Sequence, residues 1–118
     1  MKNRYLDAED RKEQRLRALR TRNPVCVECG EDNSVCLEEH HIAGRKYHED
    51  TAIVCRNCHR ILSDKQLDHA PHVALKPESN LVKIGHYLLG LCDLLALLIE
   101  TLREFGHSLI SDSQSEAL

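Results

Sequence analysis

Two cysteine pairs carry the strongest chemical signal in this chain. Cys26-Val27-Glu28-Cys29 and Cys55-Arg56-Asn57-Cys58 repeat the Cys-x-x-Cys spacing with 25 residues between them. A Cys-x-x-Cys turn presents two thiolates to one ion, and zinc prefers four such soft ligands in a tetrahedron. Gly30 follows the first pair, where a tight knuckle needs a permissive backbone. A redox dithiol, or cysteines that are only buried, would not account for two matching pairs. The spacing therefore predicts a structural Zn2+ held by Cys26, Cys29, Cys55 and Cys58. Cys36 and Cys92 lack partners at ligand spacing and read as small core residues.

Between the pairs lies Leu37-Glu38-Glu39-His40-His41-Ile42, and His59 directly follows the last cysteine. Cys-x-x-Cys, then His-His on a strand, then Cys-x-x-Cys-His opening a helix resembles the four-cysteine branch of the HNH endonucleases. The resemblance covers roughly residues 24–64 and does not extend to the C-terminal segment. It implies the ββα-metal fold, two strands and a helix around a catalytic ion with zinc as a staple behind. By the same resemblance His40 and His59 match ligands of a catalytic divalent metal, Mg2+ or another, and His41 matches the general base that activates water. The chemistry agrees with that arrangement. Neighbouring strand residues point to opposite faces, so one imidazole can hold an ion while the next reaches a water. A metal offsets charge on the scissile phosphate, and neutral imidazole is a suitable base near neutral pH. Two positions depart from the family pattern. Thr51 stands where the asparagine that orients the base is found, shorter and without the amide, and is the residue expected to assist His41 here. Ser63 stands where some members carry a further metal ligand.

Elements to position these residues can be read from the pattern. Residues 1–23 read as a charged helix running from Asp7 to Arg22, with Asp7 as N-cap, acids early, arginines late and Asn23-Pro24 as the stop. Residues 24–68 form the nuclease-like unit, with strands near Val35–Ile42 and Ala52–Val54, a polar loop over Gly44–Asp50, and a helix from about Asn57 to Leu67 that turns Ile61 and Leu62 inward. Residues 69–79 read as a linker, with Pro71 and Pro77. Over residues 80–110, Leu81, Ile84, Leu88, Leu91, Leu95, Leu98, Leu102, Phe105 and Leu109 alternate three and four apart, while His86, Asp93, Glu100 and His107 recur every seven on the opposite face. That is a heptad seam. Residues 111–118 read as a disordered tail. The fold class expected is α+β: a small zinc-stapled, treble-clef-like ββα unit between a basic N-terminal helix and a long amphipathic C-terminal one.

With one Phe, three Tyr and no Trp among 118 residues, large aromatic anchors are scarce, and a domain this small gains from a metal staple or a partner subunit. The net charge is −3, yet residues 1–22 hold eight Lys and Arg against four Asp and Glu. That local surplus can attract phosphate. Arg11, Arg15 and Arg22 share a helical face, with Lys12 and Arg20 beside it, and form a candidate phosphate rail; a solvated helix obeying dipole rules is the competing account. Arg45 and Lys46, in the loop after His41, are the other candidate phosphate contacts, with Arg56 and Arg60 nearby. His48, His69, His72, His86 and His107 read as surface residues. No apolar leader opens the chain, and paired cysteines at metal spacing suit a reducing compartment, so a cytoplasmic protein is expected. Double-stranded DNA is the expected partner. His86, Asp93 and Glu100 interrupt the C-terminal apolar segment and argue against a membrane span. Self-association through the seam, as a dimer or higher oligomer, is favoured over packing on the chain's own domain alone. Tyr87, Leu94, Leu97 and Ile99 widen the stripe, which points to a helical bundle or to a homodimer whose helices also pack on the nuclease-like unit. The alternative function is a non-catalytic zinc-stapled module that binds nucleic acid or protein and oligomerises through its helix. Thr51 and Ser63 favour that alternative, and His40, His41 and His59 favour the enzyme.

Overall fold

The computed structural model describes residues 5–69 and 79–116. Its architecture is α+β: helix α1 (Ala8–Leu19), a one-turn 3-10 helix (Ser34–Cys36), a hairpin of β1 (Leu37–His41) and β2 (Thr51–Cys55), helix α2 (Arg56–Gln66) and helix α3 (Asn80–Glu116). Asp7 caps α1 in a reciprocal box with Asp10, each carboxylate accepting the other's backbone N–H. The helix ends at Leu19, three residues before the expected Arg22. Leu16 and Leu19 are buried, and Arg20 turns left-handed at φ 61°, so the chain leaves the helix and heads for the first cysteine knuckle.

The strands pair antiparallel, with Leu37 opposite Cys55, His40 opposite Ala52 and His41 opposite Thr51. β1 starts two residues later than expected because Asn33 accepts the Val35 N–H and winds residues 34–36 into a turn first. On the face that carries His40, Val54 and His40 are sealed against α2, whose Leu62 is fully buried. Ile61 does not share that face. It is 43% exposed, since adjacent helical residues sit about 100° apart and one apolar position suffices for so short a helix. The core gathers Leu19, Cys26, Leu37, Val54, Cys55, Cys58 and Leu62. Cys36 is only partly buried and Cys92 is exposed, so neither is the core residue expected.

Helix α3 departs most from expectation. It runs to Glu116, past residue 110 and through most of the stretch expected to be disordered. It also packs on its own domain, with Gly90, Leu94 and Leu97 on a face that adjoins the heptad seam at Leu91 and Leu98. Gly90 is buried against Ile42, where a Cβ would overlap the Ile42 carbonyl oxygen. Leu94 and Leu97 lie against the core. Tyr87 Oη donates to Asp50 Oδ2 at 2.8 Å, and Tyr47 stacks on His86 with ring centres 3.8 Å apart. Asp93 Oδ2 lies 2.9 Å from His69 Nε2, both side chains mostly covered, without the geometry of a hydrogen bond at that oxygen. His69 and His86 are therefore interface residues, not free surface histidines. Seven of the nine seam residues face outward, with Leu81, Ile84, Leu88, Leu95, Leu102, Phe105 and Leu109 all more than half exposed, while Leu91 and Leu98 are half-buried. By length and composition α3 is also apolar enough to cross a membrane, with a mean hydropathy of 1.7 in its best window. Residues 70–78 of the expected linker, His72 among them, and residues 117–118 lie outside the described residues.

Candidate functional site: a four-cysteine centre and a histidine pair

The hairpin brings the two cysteine pairs together. Cys26 and Cys29 sit on a knuckle closed by Cys26 N–H to Glu31 O and Gly30 N–H to Cys26 O, with Gly30 at φ 82°. Val27 N–H reaches across to Ile53 O and ties the knuckle to β2. Cys55 ends β2 and caps α2, its sulfur accepting the Cys58 N–H at 3.4 Å. All four ligand atoms lie within 4.8 Å of one another, and Cys29 and Cys55 Sγ are 3.6 Å apart. Of the described residues, this is the one group of three or more potential ligands so arranged. Burial and the adjacent thiols push Cys58 well above the ordinary thiol range, and burial likewise raises Cys29. At Cys26 burial acts upward but is outweighed by the surrounding backbone N–H groups, and the thiol is lowered. Four thiols this close resist ionisation unless a cation joins them, so donor chemistry and spacing both fit a metal ion.

Glu28, inside the first knuckle, was not singled out by the sequence. It is 3% exposed, its Oε2 has no hydrogen-bond partner, and burial pushes its carboxyl up to about 7.

A second cluster lies along the face of β1 that meets α2. His40 is 2% exposed, and its ring packs edge-on to His59, centres 5.3 Å apart. Burial first, then the neighbouring His59 and His41, pushes His40 down to about 4. It is therefore a neutral imidazole at physiological pH, the form that ligates metals. Two imidazoles sharing one ion at a near-tetrahedral angle place their ring centres on the order of 5 Å apart, so the pair has a fitting separation. His59 sits in the first turn of α2, and its Nδ1 lies 2.6 Å from Glu38 Oε2. A carboxylate there fixes the proton on Nδ1 and leaves the Nε2 lone pair free. Glu38 Oε1 is also 3.4 Å from Arg56 Nε.

Glu38 is a site residue that the sequence reading missed. The signal was its position two before His40, which puts both on one strand face. Gln66, at the far end of α2, is the other. Its Nε2 donates to His41 O at 2.9 Å and Ile42 O at 3.2 Å, and lies 3.5 Å from His40 Nε2. A glutamine in the last turn of a helix gives no sequence signal for such a role.

The remaining expected residues are placed less uniformly. His41 is partly exposed on the opposite face of β1, and Thr51, directly across from it, is exposed and shares that face. No hydrogen bond joins the two among the described residues. Arg45 and Lys46 are exposed in the loop after His41, Lys46 Nζ standing 5.9 Å over the Tyr47 ring. The three arginines of the expected rail are each engaged within the fold. Arg11 donates to Leu6 O at 2.7 Å, Arg15 Nε to Ser34 Oγ at 3.2 Å, and Arg22 pairs with Glu13 at 2.8 Å. That last hydrogen bond raises Arg22 and lowers Glu13 from their ordinary values. Lys12, Arg15 and Arg22 still line one groove with Asp32 and Asn33, so cations outnumber the acid there although both arginines are tethered.

No family model matches the chain, and no curated protein or solved structure gives a match. The resemblance to HNH endonucleases thus rests on the cysteine cluster beside a hairpin and helix and on the histidines that this hairpin carries.

Proposed function

We propose that this chain is a metal-dependent endonuclease of the HNH type that hydrolyses phosphodiester bonds in double-stranded DNA. The observation that supports it best is the pairing of buried, neutral His40 with His59 across the β1–α2 contact, 5.3 Å between ring centres, with His41 next in the strand. A scaffold has no need to bury one imidazole against another beside a finished four-cysteine centre.

In this reading Cys26, Cys29, Cys55 and Cys58 hold a structural Zn2+ that locks the knuckle to the start of α2. His40 and His59 would hold a divalent cation such as Mg2+, which supplies charge stabilisation at the scissile phosphate when bound. Glu38 fixes the tautomer of His59, and Gln66 holds the end of β1 by its carbonyls and lies beside the His40 ring. His41 acts from the opposite face of the strand. It accepts a proton from the attacking water as the new P–O bond forms, and the 3′-oxygen departs with its electron pair. Thr51, opposite His41, limits the swing of that ring by occupying the neighbouring position. Arg45 and Lys46 reach the phosphates flanking the cut, which positions the duplex without reading its sequence.

The second reading, a non-catalytic zinc-stapled binding module, is favoured by one observation: Thr51 makes no hydrogen bond to His41. Supercoiled plasmid separates the two. Cleavage that requires added Mg2+, Mn2+ or Ni2+ and stops with chelator at a concentration that spares the structural ion supports the enzyme. DNA retention on a gel with no cleavage under any of those ions supports the module.

A further inference from the structure

We propose that the outward face of α3 is covered by α3 of a second copy of this chain, making the protein a homodimer. The helix has two working faces. Gly90, Leu94 and Leu97, with Tyr87 and Asp93 beside them, are spent on the chain's own domain. Seven of the nine heptad positions stay bare, with Leu81 82%, Ile84 55%, Leu88 56%, Leu95 58%, Leu102 60%, Phe105 60% and Leu109 53% exposed, and Leu91 and Leu98 half-buried between them.

Period decides the kind of partner. An unbroken three-four alternation from Leu81 to Leu109 follows a 3.5-residue repeat, and that repeat keeps in step only with another helix wound beside it. Asp112 occupies the next seam position and ends the stripe. Length then selects the copy. The seam is about 42 Å long at 1.5 Å per residue, longer than a short docked peptide needs and matched by α3 itself. At roughly 150–200 Å² per large side chain, the exposed seam offers about 600–850 Å². A standard stable interface takes ~800 Å² per partner.

Two glycines point the same way. A Cβ built on Gly85 or Gly106 meets nothing within 4 Å, so the isolated fold has no use for either glycine. Glycine in a helix interior is otherwise unfavourable. Both lie on one flank of the seam, three heptads apart, where a neighbouring backbone can approach closely. The positions bordering the seam carry no charge, so two identical faces meet without like-charge repulsion. A bilayer is the rival cover. To enter one across its full length, α3 would have to release Gly90 from Ile42 and take Asp93 from His69 into hydrocarbon.

Sedimentation of the full chain at micromolar concentration without detergent tests the proposal, and a dimer is expected. Leu95→Asp with Leu102→Asp alters only exposed side chains of the monomer, so circular dichroism and metal content should hold while association weakens at least about 100-fold. If that variant fails to fold, Gly106→Leu carries the test. It improves helix propensity, yet its bulk on the seam flank should weaken the dimer at least about tenfold. A wild-type monomer at that concentration, or a dimer untouched by the Asp pair, overturns the proposal. A chain that is monomeric in solution and floats with phosphatidylcholine–phosphatidylglycerol vesicles overturns it in favour of the bilayer.

Discussion

Gly90→Ala is the substitution whose sign the structure predicts against ordinary helix behaviour. In an exposed helix interior, replacing glycine by alanine gains about 1 kcal/mol, because alanine loses less backbone entropy and is the better helix former. At Gly90 the new methyl group would overlap the Ile42 carbonyl oxygen and lie 2.6 Å from its carbon. Both are backbone atoms at the end of β1, so no side-chain rotation relieves the clash. Either α3 moves off the hairpin or the strand end is displaced. The cost of such overpacking is typically about 1–3 kcal/mol, and a backbone obstacle belongs at the upper end. Shifting α3 also strains the Tyr87–Asp50 hydrogen bond, the Tyr47–His86 stack and the His69–Asp93 pair. A net loss of ~2 kcal/mol is expected, which for a chain of this size lowers Tm by roughly 6–10 °C. Urea denaturation of the metal-loaded protein, followed by circular dichroism, measures it. A variant as stable as wild type or more so would mean that α3 does not rest on Ile42, and the placement of the helix would fall with it.

Two further outcomes follow from the site. Cys55→Ser removes a ligand that also caps α2, and because structural zinc commonly supplies on the order of 10 kcal/mol of folding free energy, the domain should lose its metal and unfold; a folded, metal-free variant by elemental analysis and circular dichroism would refute the staple. Gln66→Leu keeps the volume but leaves the His41 and Ile42 carbonyls without their side-chain donor, and should cost about 1–3 kcal/mol in urea denaturation; an unchanged midpoint would remove Gln66 from the site.

The parts that could be read from sequence are those set by local spacing. The cysteine knuckles, the hairpin between them and the helix after Cys55 appear within a residue or two of their expected bounds, because turn chemistry and ligand spacing act over a few residues. Asp7 is likewise the N-cap expected. What escaped depends on contacts far apart in the chain. Gln66 meets β1 across 25 residues, and Tyr87 meets Asp50 across 37. The apolar period of α3 was plain, but period alone does not say which face meets the domain. The polar stripe was read as the solvent side, yet His86 and Asp93 proved to be the docking side, because Tyr47 and His69 wait there with partners for them. Gly90, which the apolar period does not single out, is where α3 meets the Ile42 backbone. Arg15 in α1 and Arg22 beyond its end show the converse: a shared face is legible in sequence, while the partners Ser34 and Glu13 that tether the two side chains are not.

Single-turnover cleavage of a labelled duplex tests most directly the proposed role of His41 as a base beside a metal held by His40 and His59. Wild type, His41→Ala and His40→Ala are compared with saturating enzyme and a titration of Mg2+ or Mn2+. His41→Ala should bind DNA and metal as wild type does and cleave at least about 100-fold more slowly at every metal concentration, the range a lost general base produces. His40→Ala should instead shift the metal dependence to higher concentration. Cleavage by His41→Ala at the wild-type rate under saturating metal would contradict the mechanism.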